Sequence, residues 1–370
     1  MRKIGIITFH ASENFGSALQ AFALENILID NGYNAEIINC ILESDMKQYN
    51  VFRTHIYLKR PMALLGDFLY LFRNIKRKKS FLIFQNKYLK ISYQLLRAGK
   101  DDLSFLNEEY DVFICGSDQI WNLNCTGRYV PEFFLDFADD SKLKIAYAPS
   151  MPSDVSEQYY DNIRKAVERL DAVSVREKYT VEYLRKNVGV RKDIIQTLDP
   201  TLLLGAEYYI KAFDLKRNNE KYIFVYILSG KNDIKSVVNL AVKTAKETEL
   251  KIKYVYARRI MDFTGGEYLL GIDPVNFLDL IYNAAYVITD SFHATVFSVQ
   301  FQKCFCVVPR SGSKSRMIEL LEELDLHDNL YSPNNNQWME SKANEKTRIK
   351  LGLLAEKSLN FLKDSLKIEK

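Results

Sequence analysis

The sequence predicts an α/β protein built on parallel, doubly wound sheets, and three observations carry that expectation. The first forty residues read as one β-α-β unit. Alternation of the same kind recurs as far as about residue 205. It halts at the polar stretch "DLKRNNEK" (214–221) and restarts at Tyr222. Parallel strands need a crossover between them, and a helix is the usual one, so strands alternating with helices favour a parallel sheet. A chain of 370 residues is long for a single hydrophobic core. Two domains are therefore expected, 1–210 and 211–370.

In chain order, "KIGIITF" is a buried strand, "HASENFGS" a polar loop and "ALQAFALENILIDNG" an amphipathic helix stopped by Gly32. "AEIINC" follows as a second strand. The loop has one glycine, Gly16, rather than the G-x-G-x-x-G of a dinucleotide site. Its place between strand and helix still leaves backbone N–H groups able to bind an anion. From Met46 to Asn107 the pattern changes to helices rich in aromatic and basic residues, such as "PMALLGDFLYLFRNIKRKKSF", an insertion in the first domain. The apolar run Met62–Phe72 is too short to cross a bilayer and suits a surface-lying or partner-facing helix. Strands and helices resume with "DVFICGSDQIWN", "LKIAYAPSM", "AVSVREKYTVEYLRKNVG" and "IIQTLDPTLLL". The second domain adds "YIFVYILSG", "KIKYVYA", "AYVITDS" and "CFCVVP". A helix at about 342–367 is long enough to pack across both domains.

The net charge of +4 hides an asymmetry. Between Arg53 and Lys100 stand twelve Lys or Arg and one acid, Asp67, leaving −7 for the rest of the chain. One basic segment is not a uniformly basic surface, so no nucleic-acid partner is expected. Residues 53–100 are expected either to contact anionic membranes or to be a solvated helical insertion. Five cysteines without a C-x-x-C pair argue against a disulfide framework or a zinc site, and no metal is expected. Cys304 and Cys306 alternate on one side of a strand and read as small core residues. With no signal-peptide pattern and no run of about 18 apolar residues, a soluble cytoplasmic protein is expected.

Ligands of open α/β sheets bind at the carboxyl ends of strands. Polar residues fall there repeatedly: Asn14, Gly16 and Ser17 in the first loop, Ser117 and Asp118, Ser150, then Arg176 with Glu177. The second domain contributes Ser291 and His293, and Lys314 with Arg316. Each has a plain structural alternative: Asp118 can cap a turn, and His293 can bond a neighbouring carbonyl. Together, Arg, Lys, His and helix N-termini suit a small, multiply anionic ligand. No H-E-x-x-H, G-x-S-x-G or P-loop pattern occurs.

The segments "NFGSALQAFAL", "CGSDQIWN", "SVRE", "LDPTLLL", "TDSFHATVFS" and "SGSKSRMIELLEELDL" together resemble the polysaccharide pyruvyl transferase family, from Lys3 to about Tyr331. The resemblance implies two Rossmann-like domains with a central cleft, similar to the glycosyltransferase-B fold. It implies transfer of the enolpyruvyl carbons of phosphoenolpyruvate onto a sugar of a polysaccharide or lipid-linked oligosaccharide, usually as a ketal, with release of phosphate. Phosphoenolpyruvate is then the donor substrate, and no cofactor is implied. The family's donor-holding Arg and His match Arg176 and His293. Its Lys matches Lys314, with Arg316 an alternative, and Ser291 lies in the same motif. Family members commonly carry an acid after the first-loop glycine, where this chain has Ser17. Ketal formation needs a proton for the enol carbon and a base for the sugar hydroxyl, work suited to His293, with Asp118 the next candidate. Such a protein is cytoplasmic or peripheral at the inner face of the membrane. The competing reading is a nucleotide-sugar glycosyltransferase of similar fold, although no E-x7-E stands near "DSFH". A non-enzymatic sugar- or lipid-binding module on the same fold is a third.

Overall fold

The computed structural model describes residues 2–52, 54–57, 62–228, 234–256, 265–309, 316–333 and 336–370; Lys314, and Arg53, Lys59 and Arg60 of the basic segment, lie outside them. The chain divides into one unit of Met1–Leu203 with Leu354–Lys370 and a second of Leu204–Leu353.

The first unit carries β1 (Lys3–Ile7), β2 (Asn34–Ile37), β3 (Cys40–Leu42), β4 (Leu96–Ala98), β5 (Val112–Gly116), β6 (Leu143–Tyr147), β7 (Ala172–Val175) and β8 (Ile194–Gln196). Six of them form a parallel sheet in the order β2-β1-β5-β6-β7-β8, while β3 and β4 pair as a separate parallel ribbon. Every residue of β5 and β6 is buried, as expected of parallel strands covered on both faces. The winding reverses between β1 and β5, which places a topological switch point at their carboxyl ends. Gly116 ends β5 there with φ +118°. A Cβ at this position would lie 2.1 Å from the Tyr147 carbonyl oxygen, so only glycine fits.

The second unit has β9 (Tyr222–Ile227), β10 (Lys251–Tyr256), β11 (Gly266–Tyr268), β12 (Tyr286–Thr289) and β13 (Cys304–Val307), ordered β11-β10-β9-β12-β13 and all parallel. Its winding reverses between β9 and β12.

Two boundaries differ from the sequence expectation. The second unit begins at Leu204, ahead of residue 210, because buried Tyr209 in the helix Ala206–Ala212 packs edge-on against Phe297 at 5.0 Å. The tail does not stay with the second unit. The helix Glu345–Ser365 starts there, but Leu354–Lys370 belongs to the first. Ser358 Oγ accepts from the Leu198 amide at 2.9 Å, and Arg2 donates to the Leu366 carbonyl at 2.9 Å. Residues 43–95, between β3 and β4, hold the aromatic and basic helices Met62–Leu69 and Leu71–Tyr88.

The helix Phe15–Asp30 is buried on nearly every side, which puts Glu25 in the interior at 1% exposure. Both carboxylate oxygens accept from the Lys90 amide, at 3.0 and 3.1 Å, and tie the end of the insertion to this helix. Burial pushes the Glu25 carboxyl up to about 8, despite the opposing Lys90 amide and ammonium. The folded pKa thus lies above the unfolded value of 4.5, so the folded state binds this proton more tightly. The associated stability is complete below pH 4.5, falls as pH rises and is gone above about pH 8. Glu25→Gln should remove this slope. Wild type should lose about 2 to 3 kcal/mol more than the variant between about pH 6 and pH 9. Urea midpoints at the two pH values measure it, and parallel curves for the two proteins would refute it.

Candidate functional site

In the first unit, the switch point is built by the turns after β1 and β5. Asn14 caps the helix Phe15–Asp30, its side chain accepting from the amides of Gly16 (2.9 Å) and Ser17 (3.4 Å). These are the N–H groups that the sequence leaves available to an anion. In the structure Asn14 occupies them, and Gly16 lies inside the helix rather than in a loop. Ser17 donates its hydroxyl to Asp118 Oδ2 at 2.5 Å, and Asp118 Oδ1 accepts from the Gln119 amide at 2.8 Å. Asp118 holds φ +66°, a left-handed conformation that Asp tolerates better than most residues. Thr8 Oγ1 donates to the Ser117 carbonyl at 3.3 Å, and buried Gln20 donates to Thr8 Oγ1 at 2.8 Å. The first loop and the β5 turn are thereby fixed to each other.

Arg176 follows β7 and is buried. Its Nη2 lies 2.7 Å from Asp199 Oδ2 and donates to Ser117 Oγ at 2.7 Å. Burial opposes the guanidinium charge, yet Asp199, Glu177 and Asp118 outweigh it and raise the arginine above its ordinary pKa. Three carboxyl groups therefore surround this one cation. The sequence expects Arg176 to clamp an anionic substrate group, but here a donor would have to compete with Asp199. Glu177 accepts from Ser150 Oγ at 2.6 Å and Thr180 Oγ1 at 3.2 Å, so it holds the turn after β6 in place.

In the second unit, β12 ends at Thr289, whose hydroxyl donates to the Tyr226 carbonyl at 2.8 Å. Asp290 Oδ1 accepts from the Leu228 amide at 2.7 Å, joining the ends of β12 and β9. Asp290 is therefore a strand tie, and the helix cap is Ser291, whose Oγ accepts from the Ala294 amide at 3.4 Å. The helix Phe292–Gln300 is buried along its whole length. His293 is its second residue, 8% exposed, with its ring edge-on to Phe292 at 5.2 Å between centroids. Arg316 opens the helix Arg316–Glu323 and places its guanidinium 5.8 Å from the centre of the Phe292 ring. Ser291, His293 and Arg316 are thus gathered at one helix N-terminus, where backbone N–H groups and a cation both favour an anion.

The structure brings the predicted residues together in two sets. Asn14, Gly16, Ser17, Ser117, Asp118, Ser150, Arg176 and Glu177 lie at the strand ends of the first unit, and Ser291, His293 and Arg316 at those of the second. Sequence reading missed Asp199 and the Thr8–Gln20 pair. It also passed over His10, whose buried ring lies 3.2 Å from both the Thr8 carbonyl and Asn39 Oδ1. Burial lowers the His10 pKa, against those two hydrogen bonds. Among the described residues, no group of three or more His, Cys, Asp or Glu side chains is placed to hold a metal ion.

The chain is similar in structure to the UDP-GlcNAc 2-epimerase of Methanocaldococcus jannaschii. The TM-score is 0.56 at 12% identity, over 98% of this chain and 100% of that one. It is also similar to S. aureus MnaA in its structure with UDP, with a TM-score of 0.53 at 13% identity, over 99% and 97% of the two chains. At such identities the likeness is one of fold, the α/β fold of parallel sheets that these glycosyltransferase-B-like proteins share. A search of the curated proteins found no match. The family model of polysaccharide pyruvyl transferase matches residues 14–312, a span that runs from the Asn14 cap past β13. The chain belongs to the polysaccharide pyruvyl transferase family, and it is a transferase.

Proposed function

We propose that the protein transfers a pyruvyl group from phosphoenolpyruvate to a sugar of a polysaccharide or of a lipid-linked glycan precursor, forming a ketal and releasing phosphate. The observation that carries this reading is the set at one helix N-terminus: the Ser291 cap, His293 in the first turn and Arg316 beside it. Phosphoenolpyruvate presents a carboxylate and a phosphate, and the positive end of a helix with a guanidinium beside it is complementary to either. His293 delivers a proton to the methylene carbon, which becomes the methyl group. One sugar hydroxyl adds at the adjacent carbon, the C–O bond to phosphate breaks, and a second hydroxyl closes the ketal. Of the two hydroxyl protons, one replaces the proton taken up by carbon and the other leaves on phosphate. Arg316 offsets the charge on the departing phosphate.

In the first unit, Ser17 and the Gln119 amide hold the Asp118 carboxylate in one orientation, the arrangement that a proton acceptor needs. Arg176 holds Ser117, the neighbour of Asp118, and acts in this reading by positioning the turn.

A thermal-shift panel tests the donor. Phosphoenolpyruvate at about a hundred times its Kd should stabilise the protein by about 2.7 kcal/mol, while UDP-, GDP- and CMP-sugars leave the melting temperature unchanged. A shift with a nucleotide sugar and none with phosphoenolpyruvate would replace this reading with that of a glycosyltransferase.

A further inference from the structure

Among the described residues, the helical insertion leaves a large apolar face exposed. Nine large apolar side chains on the helices Met62–Leu69 and Leu71–Tyr88 are exposed, among them Leu65, Leu69, Phe72, Ile75, Leu82 and Ile83. Phe72 is 88% exposed and Leu69 72%, so these are not rim residues of the core. On the longer helix the exposed positions 72, 75, 79, 82 and 83 follow a spacing of three and four, which makes one stripe at about 100° per residue. Phe81, Phe84 and Tyr88 lie on nearly the opposite side. They pack into the first unit, Phe81 stacking on Phe15 at 5.4 Å and Tyr88 meeting Phe22 edge-on at 6.5 Å. The helix is therefore docked by one face and exposed on the other.

Charge says what covers the bare face. Lys76 and Lys79 are exposed within the apolar stripe, and Arg73 and Lys78 flank it. The single acid of the segment, Asp67, is buried and accepts from the Tyr57 hydroxyl at 2.9 Å. A second copy docking the same patch by two-fold symmetry would set these cations against themselves. A surface that is negative at its boundary and apolar just beneath it complements both features at once.

We propose that the helices Met62–Leu69 and Leu71–Tyr88 form a docking surface for an anionic lipid bilayer, with the apolar stripe inserted at the headgroup boundary. No described helix is long and apolar enough to cross a membrane, so the contact is peripheral. The surface is fixed to the first-loop site. Arg77, on the same helix, pairs with Glu13 at 2.8 Å, and Gln85 donates to the His10 carbonyl at 3.1 Å. The inference stands whichever group the enzyme transfers.

The test is co-sedimentation of the full chain with vesicles of phosphatidylcholine, with and without phosphatidylglycerol, at low and high salt. Wild type should bind the phosphatidylglycerol vesicles, lose binding as salt rises and ignore pure phosphatidylcholine. Lys76→Glu/Lys79→Glu should lower the partition constant by about tenfold or more. Phe72→Ser/Leu82→Ser should lower it by a similar factor with unchanged circular dichroism. A charge-matched control far along the chain, Lys357→Glu/Lys363→Glu, should leave it within about twofold. Absence of binding at low salt would overturn the proposal, as would an equal loss in the control or wild-type binding by the Phe72→Ser/Leu82→Ser variant. So would a dimer in solution that this variant abolishes, because the face would then belong to a second copy.

Discussion

His293→Gln should lower phosphate release from phosphoenolpyruvate, in the presence of acceptor, by roughly two to four orders of magnitude, the range typical of a general acid–base group. Glutamine keeps much of the ring's size and hydrogen-bonding capacity but transfers no proton near neutral pH. The helix it sits on should not suffer, because the cap is Ser291 and the helix is buried along its length. Donor affinity should therefore survive while turnover falls, so kcat and kcat/KM drop together. Steady-state phosphate release, paired with a donor titration followed by thermal shift, reads both. Turnover near the wild-type rate would make His293 a structural residue and move the proton to Asp118.

Arg176→Met should destabilise the first unit by about 3 to 5 kcal/mol, because Asp199 would be left as a buried carboxylate without its guanidinium. The double variant Arg176→Met/Asp199→Asn should recover part of that loss. It removes the orphaned charge but keeps the side-chain oxygen that caps Thr201. Urea midpoints of the two variants and wild type measure the difference. The result also separates two roles for Arg176. A residue that only holds the donor would leave the midpoint unchanged and abolish the phosphoenolpyruvate shift. A residue that holds the turn through Ser117 would lower the midpoint first.

Much of this architecture was legible in the sequence because parallel strands buried on both faces are short apolar runs bounded by polar turns. The runs at β1, β5, β6, β9, β12 and β13 are all of this kind. The strands β4 and β11, with three residues each, carry no periodicity to detect. Position at a strand's carboxyl end is a local property, so Asp118, Arg176 and His293 could be picked out from their neighbours in sequence. Pairing across strands is not local. Asp199 lies 23 residues beyond Arg176 and reads as an ordinary Asp-Pro turn, so the carboxylate that holds the arginine was hidden. Likewise, nothing in "ENFGS" shows that the Asn14 side chain fills the Gly16 and Ser17 amides. The exposed stripe of the insertion was only half legible. Its charge could be counted, but which of its apolar residues faced inward depended on where Phe15 and Phe22 stood.

The tail gives the first unit an unusual history. Its last seventeen residues, Leu354–Lys370, are separated from the rest of it by the whole of the second unit, Leu204–Leu353. A ribosome makes the chain from its amino end, so the unit begun first is completed last. The amide of Leu198 waits for the hydroxyl of Ser358, 160 residues later, and Arg2 waits still longer for the carbonyl of Leu366. The second unit, made from one unbroken stretch, has all of its chain while the first is still missing its final helix.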